Sequence, residues 1–374
     1  MDFEFTPDQR QMQESIRALL ATRYDLARLR QITDEKGFDE TLWQALAEAG
    51  VFAVMVPEAH DGLGLAPVDA VLLVEEFGRA LAPAPVVETM LAAVLIARFG
   101  TPDQQATYLP RIAGGALRVT LAHAEAEAGP GSEDIGLRAV EQGNAWKLHG
   151  AKILVPNAGV ADLLLVTARF GEAGQLGIAL CEPGATGLTR REQATLDLAS
   201  RHHALEFAGV VADVLGGTPD AAAVELLVDL GAAAAAAEMA GIASRVLDDS
   251  VAYAAQRVQF GKPIGSFQAI KHKCADIATA VEGARSAAYG AALAMSGTGD
   301  TIKPVSIAKA FAGETARRAC NDAIQIHGGI GFTWDLGLHL WLRRTRLLET
   351  TYGDVAWHQE RVLARSLVEL GLGG

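Results

Sequence analysis

Apolar residues recur at steps of three and four through Leu247, Val251, Ala254 and Val258, and again through Ile270, Cys274, Ile277 and Val281. This is the spacing of one buried helical face. Gly261, Pro263 and Gly265 interrupt it, predicting a loop between two long helices, with Arg257 in the last turn of the first and Gln268 near the start of the second. The same periodicity predicts helices over 221–259, 267–296, 304–326 and 336–349, and their small alanine side chains suit close packing in a four-helix bundle. At the other end, Thr6, Pro7 and Gln9 make a capping-box start, and Met12, Ile16, Leu19 and Leu20 form the buried stripe that follows. Helical patterns continue to about residue 118: Trp43, Leu46 and Ala47 share a face, 71–81 and 104–112 read as helices, and VPEAHDGLGL over 56–65 is a glycine-rich break.

Near Leu117 the pattern changes. Short alternating or apolar runs at 145–148, 153–155, 163–168, 177–180 and 204–207 are separated by turn residues such as Gly150, Asn157, Gly171 and Pro183, the signature of a β domain. The chain is therefore expected to be α+β, with an N-terminal helical domain over 1–118, a middle β-barrel or sandwich over 119–220 and a C-terminal helical bundle over 221–374.

Composition narrows the function. Half of the 374 residues are hydrophobic, enough for a large core. The net charge of -13 opposes binding to nucleic acid or anionic membrane, and the densest basic cluster, Arg343, Arg344 and Arg346, is too small for a polynucleotide track. Cys181, Cys274 and Cys320 are scattered and lack metal-ligand spacing, so no metal site and a reducing cytoplasm are expected. The acidic start MDFEF has no basic region followed by an apolar run, so no leader is expected. The apolar tract 230–243 is mostly alanine and broken by Glu238, which reads as tight helix packing and not as a membrane span.

Two motifs carry a family likeness. RVQFGKPIGSFQ from Arg257 to Gln268 and QIHGGIGFTW from Gln325 to Trp334, with helices between them, resemble the acyl-CoA dehydrogenase family, and the domain order extends the likeness over nearly the whole chain. The loop 57–65, YLPRIAGG over 108–115 and the helix entering at Pro304 support it. The resemblance implies FAD lying across a subunit interface and an acyl-CoA substrate losing an α proton to a carboxylate and a β hydride to the flavin. It further implies that Arg257 pairs with the pyrophosphate, that Phe260, Gln268 and Gln325 meet the nucleotide, and that Gly328 and Gly329 give backbone amides close approach. These residues would serve a neighbour's FAD, so a homo- or heterotetramer with an acyl-CoA dehydrogenase chain is implied, with electron-transfer flavoprotein as a candidate acceptor. An ordinary helix hairpin and a simple glycine cap are the alternatives if each motif is taken alone.

The chain departs from that pattern where the chemistry lies. The family's Glu-Gly-Thr stretch reads Tyr352, Gly353, Asp354, so a tyrosine stands where the base belongs. The alternative base position, counted back from Phe260, is Gly231, followed by Ala232. The flavin-facing run Thr-Glu-Pro-Gly-x-Gly-Ser appears as Ala126 to Ser132, keeping Gly129, Gly131 and Ser132 and losing a hydroxyl donor, and the Trp-x-Thr segment reads Leu154, Val155, Pro156. Glu238, Asp229 and Glu225 are candidates for a relocated base, with Glu349 a fourth; Glu238 lies seven residues beyond Gly231 and so on nearly the same helix face. Three readings stay open: a partner subunit that donates half of an FAD site, a self-sufficient dehydrogenase with a moved base, and a flavin-free structural homologue. An oxidase is a further variant of the flavin chemistry.

Overall fold

The computed structural model describes residues 5–35, 38–83, 85–143, 145–297 and 299–372; residues 1–4, on which the absence of a leader was read, lie outside them. Six helices come first: α1 (Pro7–Arg23), α2 (Leu26–Glu35), α3 (Glu40–Glu48), α4 (Pro67–Ala80), α5 (Val86–Phe99) and α6 (Pro102–Ala113). The capping box forms as the sequence specifies, with Thr6 Oγ1 accepting the Gln9 N–H at 3.2 Å and Gln9 Oε1 accepting the Thr6 N–H at 3.0 Å. A second box, Thr101 with Gln104, opens α6. Gln104 also reaches out of its own domain, donating to the Val214 carbonyl at 2.8 Å and accepting the Gly216 N–H at 2.9 Å.

Seven strands follow: β1 (Val119–Ala122), β2 (Arg138–Gln142), β3 (Ala145–Pro156), β4 (Leu163–Phe170), β5 (Gln175–Cys181), β6 (Leu188–Gln193) and β7 (His202–Val214). The path β4-β2-β3-β7-β5 returns to β4 and closes a small barrel; β1 lies parallel to β4, and β6 pairs with β7. β2 and β6 were not anticipated, because RAVEQ and LTRREQ are mostly exposed and carry no apolar alternation; pairing with β3 and β7 holds them.

The C-terminal part consists of α7 (Ala221–Gln256), a two-residue-strand hairpin β8 (Val258–Gln259) and β9 (Lys262–Pro263), then α8 (Gln268–Met295), α9 (Ile302–His327), α10 (His339–Thr350) and α11 (Val355–Glu369). Two expectations change. α7 ends at Gln256 and not at 259, because residues 258–259 leave the helix to pair with 262–263. α11 adds a fifth helix to the four expected.

α7 is the core of the molecule: 94% of its most apolar window is buried, which identifies it as a packed core helix. Its crossing with α4 is backbone against backbone. A Cβ on Gly78 would sit 2.0 Å from the Glu238 carbonyl oxygen, and one on Gly241 would sit 1.9 Å from that of Glu75, so only glycine permits this approach. Beside the crossing, Glu75 accepts from Arg285 at 2.7 Å and Glu76 binds Arg17 through both oxygens at 2.6 and 2.9 Å, compensating two carboxylates that burial would otherwise penalise.

Candidate active site

A cleft of about 420 Å³ opens between the barrel and the bundle, lined by His123, Glu125, Pro130, Leu154, Tyr352 and Trp357 among others. The loop after α10 forms one wall. Lys309, fully buried in α9, donates to the carbonyls of Glu349 at 3.1 Å and Gly353 at 2.7 Å, and His358 Nε2 lies 3.0 Å from the Tyr352 carbonyl. Held this way, Tyr352 adopts φ 55° and Gly353 φ 102°. Burial draws Lys309 down to about 7 against the pull of Glu349 and Asp354.

The Tyr352 ring lies against α7 at Gly231: a Cβ there would meet ring carbons at 2.4 to 2.6 Å. The two base positions named from the sequence are thus one place in space, and a phenol fills it. Burial pushes that phenol above its ordinary value, with the charges of Glu88 and Glu238 acting in the same direction. Asp354 is occupied as the N-cap of α11, accepting the Trp357 N–H at 2.8 Å.

The remaining titratable groups of the cleft escaped the sequence reading. His123, which follows β1, stacks on the Tyr352 ring with centroids 5.9 Å apart; burial and then Lys152 lower it to about 4, leaving it neutral. Burial works against the Glu125 charge, but Lys152 at 2.7 Å and the Gly136 and Leu137 N–H groups outweigh it and hold the carboxyl below its usual range. Lys152, wholly buried in β3, falls to about 8 through burial despite Glu125. None of these is a carboxylate free to take a proton.

The bend carrying Gly129, Gly131 and Ser132 is preserved, braced by Arg169, which donates to the carbonyls of Glu133 and Ile135 at 2.6 Å each. Acid groups crowd it. The Asp134 carboxylate comes within 2.3 Å of a Cβ built on Gly129, and that of Glu133 within 2.4 Å of one on Gly131. These two carboxylates make the bend a poor seat for a diphosphate.

The other candidate carboxylates lie elsewhere. Asp229 is turned to α11 and α9, accepting from Arg361 at 2.9 Å and Thr301 at 3.2 Å. Glu225 is exposed near the start of α7, and Glu349 pairs with Arg317 at 2.9 Å and Arg346 at 2.7 Å. Glu238 is buried 3.4 Å from Arg344, which also binds Asp197. Burial raises Glu238 to about 7, opposed by Arg344 and reinforced by Glu88 and Asp197. Seven residues at 1.5 Å rise put it roughly 10 Å beyond Gly231 along the helix, too deep to take the proton a base at Gly231 would take. The basic cluster of the sequence therefore resolves into separate roles: Arg344 in this buried network, Arg346 on Glu349, and Arg343 over the Trp334 ring at 5.9 Å.

The seam of the two C-terminal motifs is on the surface. Phe260 (φ 53°) and Gly261 (φ 77°) form the tip of the β8–β9 hairpin, the paired positive φ of a tight twisted turn. Phe260 is 92% exposed, an unfavourable state for a large ring in an unfavourable backbone region. It borders a groove of about 360 Å³ with Arg257, Phe267 and His327. Arg257 caps α7, exposed and with no hydrogen bond or ion pair to another side chain among the described residues; Gln268 and Gln325 are exposed on α8 and α9. Gly328 has φ 64° and its N–H closes α9 on the Gln325 and Ile324 carbonyls, while Cβ atoms on Gly328 and Gly329 would meet nothing within 4 Å, so a ligand can approach this backbone closely. A guanidinium free of partners among the described residues and exposed amide side chains beside an open glycine turn have the chemistry to meet phosphate and nucleotide groups. Among the described residues, no group of three or more His, Cys, Asp or Glu is arranged to hold a metal.

A barrel and a bundle thus meet at one cleft, in a chain that opens with a helical domain. The model for the acyl-CoA dehydrogenase N-terminal domain matches residues 6–116 and that for the C-terminal domain matches 222–367. The chain belongs to the acyl-CoA dehydrogenase family, whose members are FAD-dependent oxidoreductases. It is 32% identical to acyl-CoA dehydrogenase IpdE2 of Mycobacterium tuberculosis over 90% of this chain and 91% of that protein. Among solved structures, it resembles the Tcur3481-Tcur3483 steroid ACAD (TM-score 0.88, 32% identity, covering 98% and 99% of the two chains). It also resembles the ChsE4-ChsE5 complex of Mycobacterium tuberculosis (TM-score 0.90, 28% identity, covering 99% of each chain).

Proposed function

We propose that this chain is the subunit of an acyl-CoA dehydrogenase assembly that completes the FAD site of a catalytic partner chain without supplying the base itself. The observation that carries the reading is the Tyr352 ring packed on Gly231, which fills both base positions with a group whose proton is held more tightly than in water. The seam at Arg257, Phe260, Gln268, Gln325, Gly328 and Gly329 supports the donated half, because it is exposed and the Arg257 guanidinium is without a partner among the described residues. FAD, when bound, supplies the hydride acceptor of the dehydrogenation. Arg257 would neutralise phosphate charge, Gln268 and Gln325 would hydrogen-bond the nucleotide portion, the side-chain-free Gly328 and Gly329 would allow its close approach, and Phe260 would leave water on docking. The heteromeric ChsE4-ChsE5 neighbour supports a two-chain assembly, which we take as a heterotetramer in a reducing cytoplasm that passes electrons to an electron-transfer flavoprotein.

A self-sufficient dehydrogenase with a relocated base is the second reading, favoured by Glu238, whose proton affinity near neutrality suits a general base. Its depth along α7 counts against it. Purifying the chain alone and co-expressed with a candidate acyl-CoA dehydrogenase partner from the same genome, then recording flavin absorbance, mass and turnover, separates the two. The partner reading expects flavin and activity only in the mixed assembly. Stoichiometric FAD and ordinary acyl-CoA oxidation by the chain alone would end it.

A further inference from the structure

Beneath the cleft lies a second, smaller cavity of about 50 Å³, lined by Glu88, Asp197, His202, Glu238 and Arg344 together with apolar residues of α5 and α10. It adjoins the cleft, since Pro156, His202, Leu347 and Thr351 line both. The end of a pocket for a hydrocarbon chain would be apolar. This one sets charged side chains among its apolar walls, and although Arg344 pairs with Asp197 and Glu238, three polar atoms are left over. Glu88 Oε2, His202 Nδ1 and Arg344 Nη2 are each buried without a hydrogen-bond partner among the described residues, and His202 and Arg344 are both only 4% exposed. Buried polar atoms left unpaired are unfavourable and rare, so three around one cavity point to something that pairs with them.

We propose that this cavity is a recognition subsite for an uncharged oxygen function, a ketone or a hydroxyl, at the far end of the acyl group of a CoA thioester entering the cleft. The inference rests on the cleft being the place of the acyl group and not on which chain supplies the base. Charge decides against an ionic terminus. Arg344 is already paired with Asp197 and Glu238, so a carboxylate would be the third or fourth acid around one guanidinium, and a cation would face that guanidinium directly. A neutral oxygen accepts from Arg344 Nη2 or His202, and a hydroxyl also donates to Glu88. Burial raises Glu88, as it does Glu238, so the carboxyl holds a shared proton more readily than an exposed one. The volume holds roughly three waters or one such group, not a ring.

The test compares two thioesters of equal length, octanoyl-CoA and 7-hydroxyoctanoyl-CoA, whose hydroxyl can donate to Glu88, by titration calorimetry on the protein as purified with whatever chain it assembles with. The hydroxy thioester is expected to bind about tenfold more tightly, the value of a hydrogen bond to a buried charged or strongly polar group. The preference should vanish in Glu88→Leu and persist in Glu88→Gln, which keeps a donor and an acceptor. Equal affinity of the two thioesters for the unaltered protein means that the cavity holds water only and overturns the subsite, even if Glu88→Leu fails to fold. A preference unaffected by Glu88→Leu also overturns it. Binding of neither thioester overturns it together with the cleft reading, a result distinguishable from equal binding.

Discussion

Removing the Arg257 guanidinium separates what the chain needs for itself from what it gives to a neighbour. Arg257 is exposed, its backbone N–H is bonded to the Tyr253 carbonyl at 2.8 Å whatever the side chain, and its guanidinium touches no acid. Arg257→Ala should therefore change the stability of the isolated chain by no more than about 0.5 kcal/mol. In the assembly the same truncation removes a hydrogen bond between charged groups, worth about 1.5 to 3 kcal/mol. At 1.36 kcal/mol per tenfold, this weakens FAD retention by roughly 10- to 150-fold. Urea denaturation of the chain alone gives the first quantity; recovery of flavin fluorescence on dilution of the assembly gives the second. Arg257→Lys should fall between, because an ammonium keeps the charge and loses the planar fork. FAD affinity within twofold of the unaltered assembly would refute the seam, as would a stability loss above about 1 kcal/mol with FAD unaffected, since the residue would then be structural.

Other expectations follow from the cleft and the core. Tyr352→Phe should leave turnover of the assembly within about threefold, because a phenol pushed above 10 is less than about 1% ionised at pH 8 and cannot be the base; a hundredfold loss would show that it is. Gly241→Ala should destabilise the chain by at least about 1 to 3 kcal/mol in urea, since the new methyl meets the Glu75 carbonyl at 1.9 Å; an unchanged midpoint would contradict the backbone contact of α4 and α7. Acid should destabilise the fold. Burial lowers His123 and His202 to about 4 and His358 to about 3, so from pH 6.5 downward the unfolded chain takes up protons that the folded chain refuses. Each such proton contributes about 1.4 kcal/mol of lost stability per pH unit. Glu238, raised to about 7, acts in the opposite sense between 7 and 4.5 and offsets about one of the three protons; Glu88, also raised, can offset no more than one further proton, so a net loss remains between pH 6.5 and 4.5. Urea midpoints that stay level or rise over that range would be the contrary result.

What the sequence disclosed depended on how local the information was. Arg257, Phe260 and Gln268 lie within twelve residues, and the break between the helices is written in Gly261, Pro263 and Gly265, so the loop could be read directly, whereas its tie to a flavin came only from the family resemblance. The long helices could be read because their apolar period persists over many turns. The cleft could not. His123, Glu125 and Lys152 come from the barrel, Tyr352 from the loop after α10, and Glu88, Asp197, His202 and Arg344 from four elements spread over more than two hundred residues. No spacing in the chain records their proximity. Gly231 was legible only as a missing carboxylate; that it is small because Tyr352 rests on it is a fact of three dimensions. β2 and β6 were missed because strands held by their neighbours need little apolar pattern of their own.

α7 is one unbroken rod from beneath the cleft to the hairpin. Gly231, under the Tyr352 ring, and Arg257, at the seam, are twenty-six residues apart on it, about 39 Å at 1.5 Å per residue. Substitutions at one end are thus far outside the contact range within which their effects couple. A duplicated copy of such a chain can lose catalysis at its own cleft while the other end stays under selection on behalf of its sibling, and the length of one helix is what makes that division of labour mechanically simple.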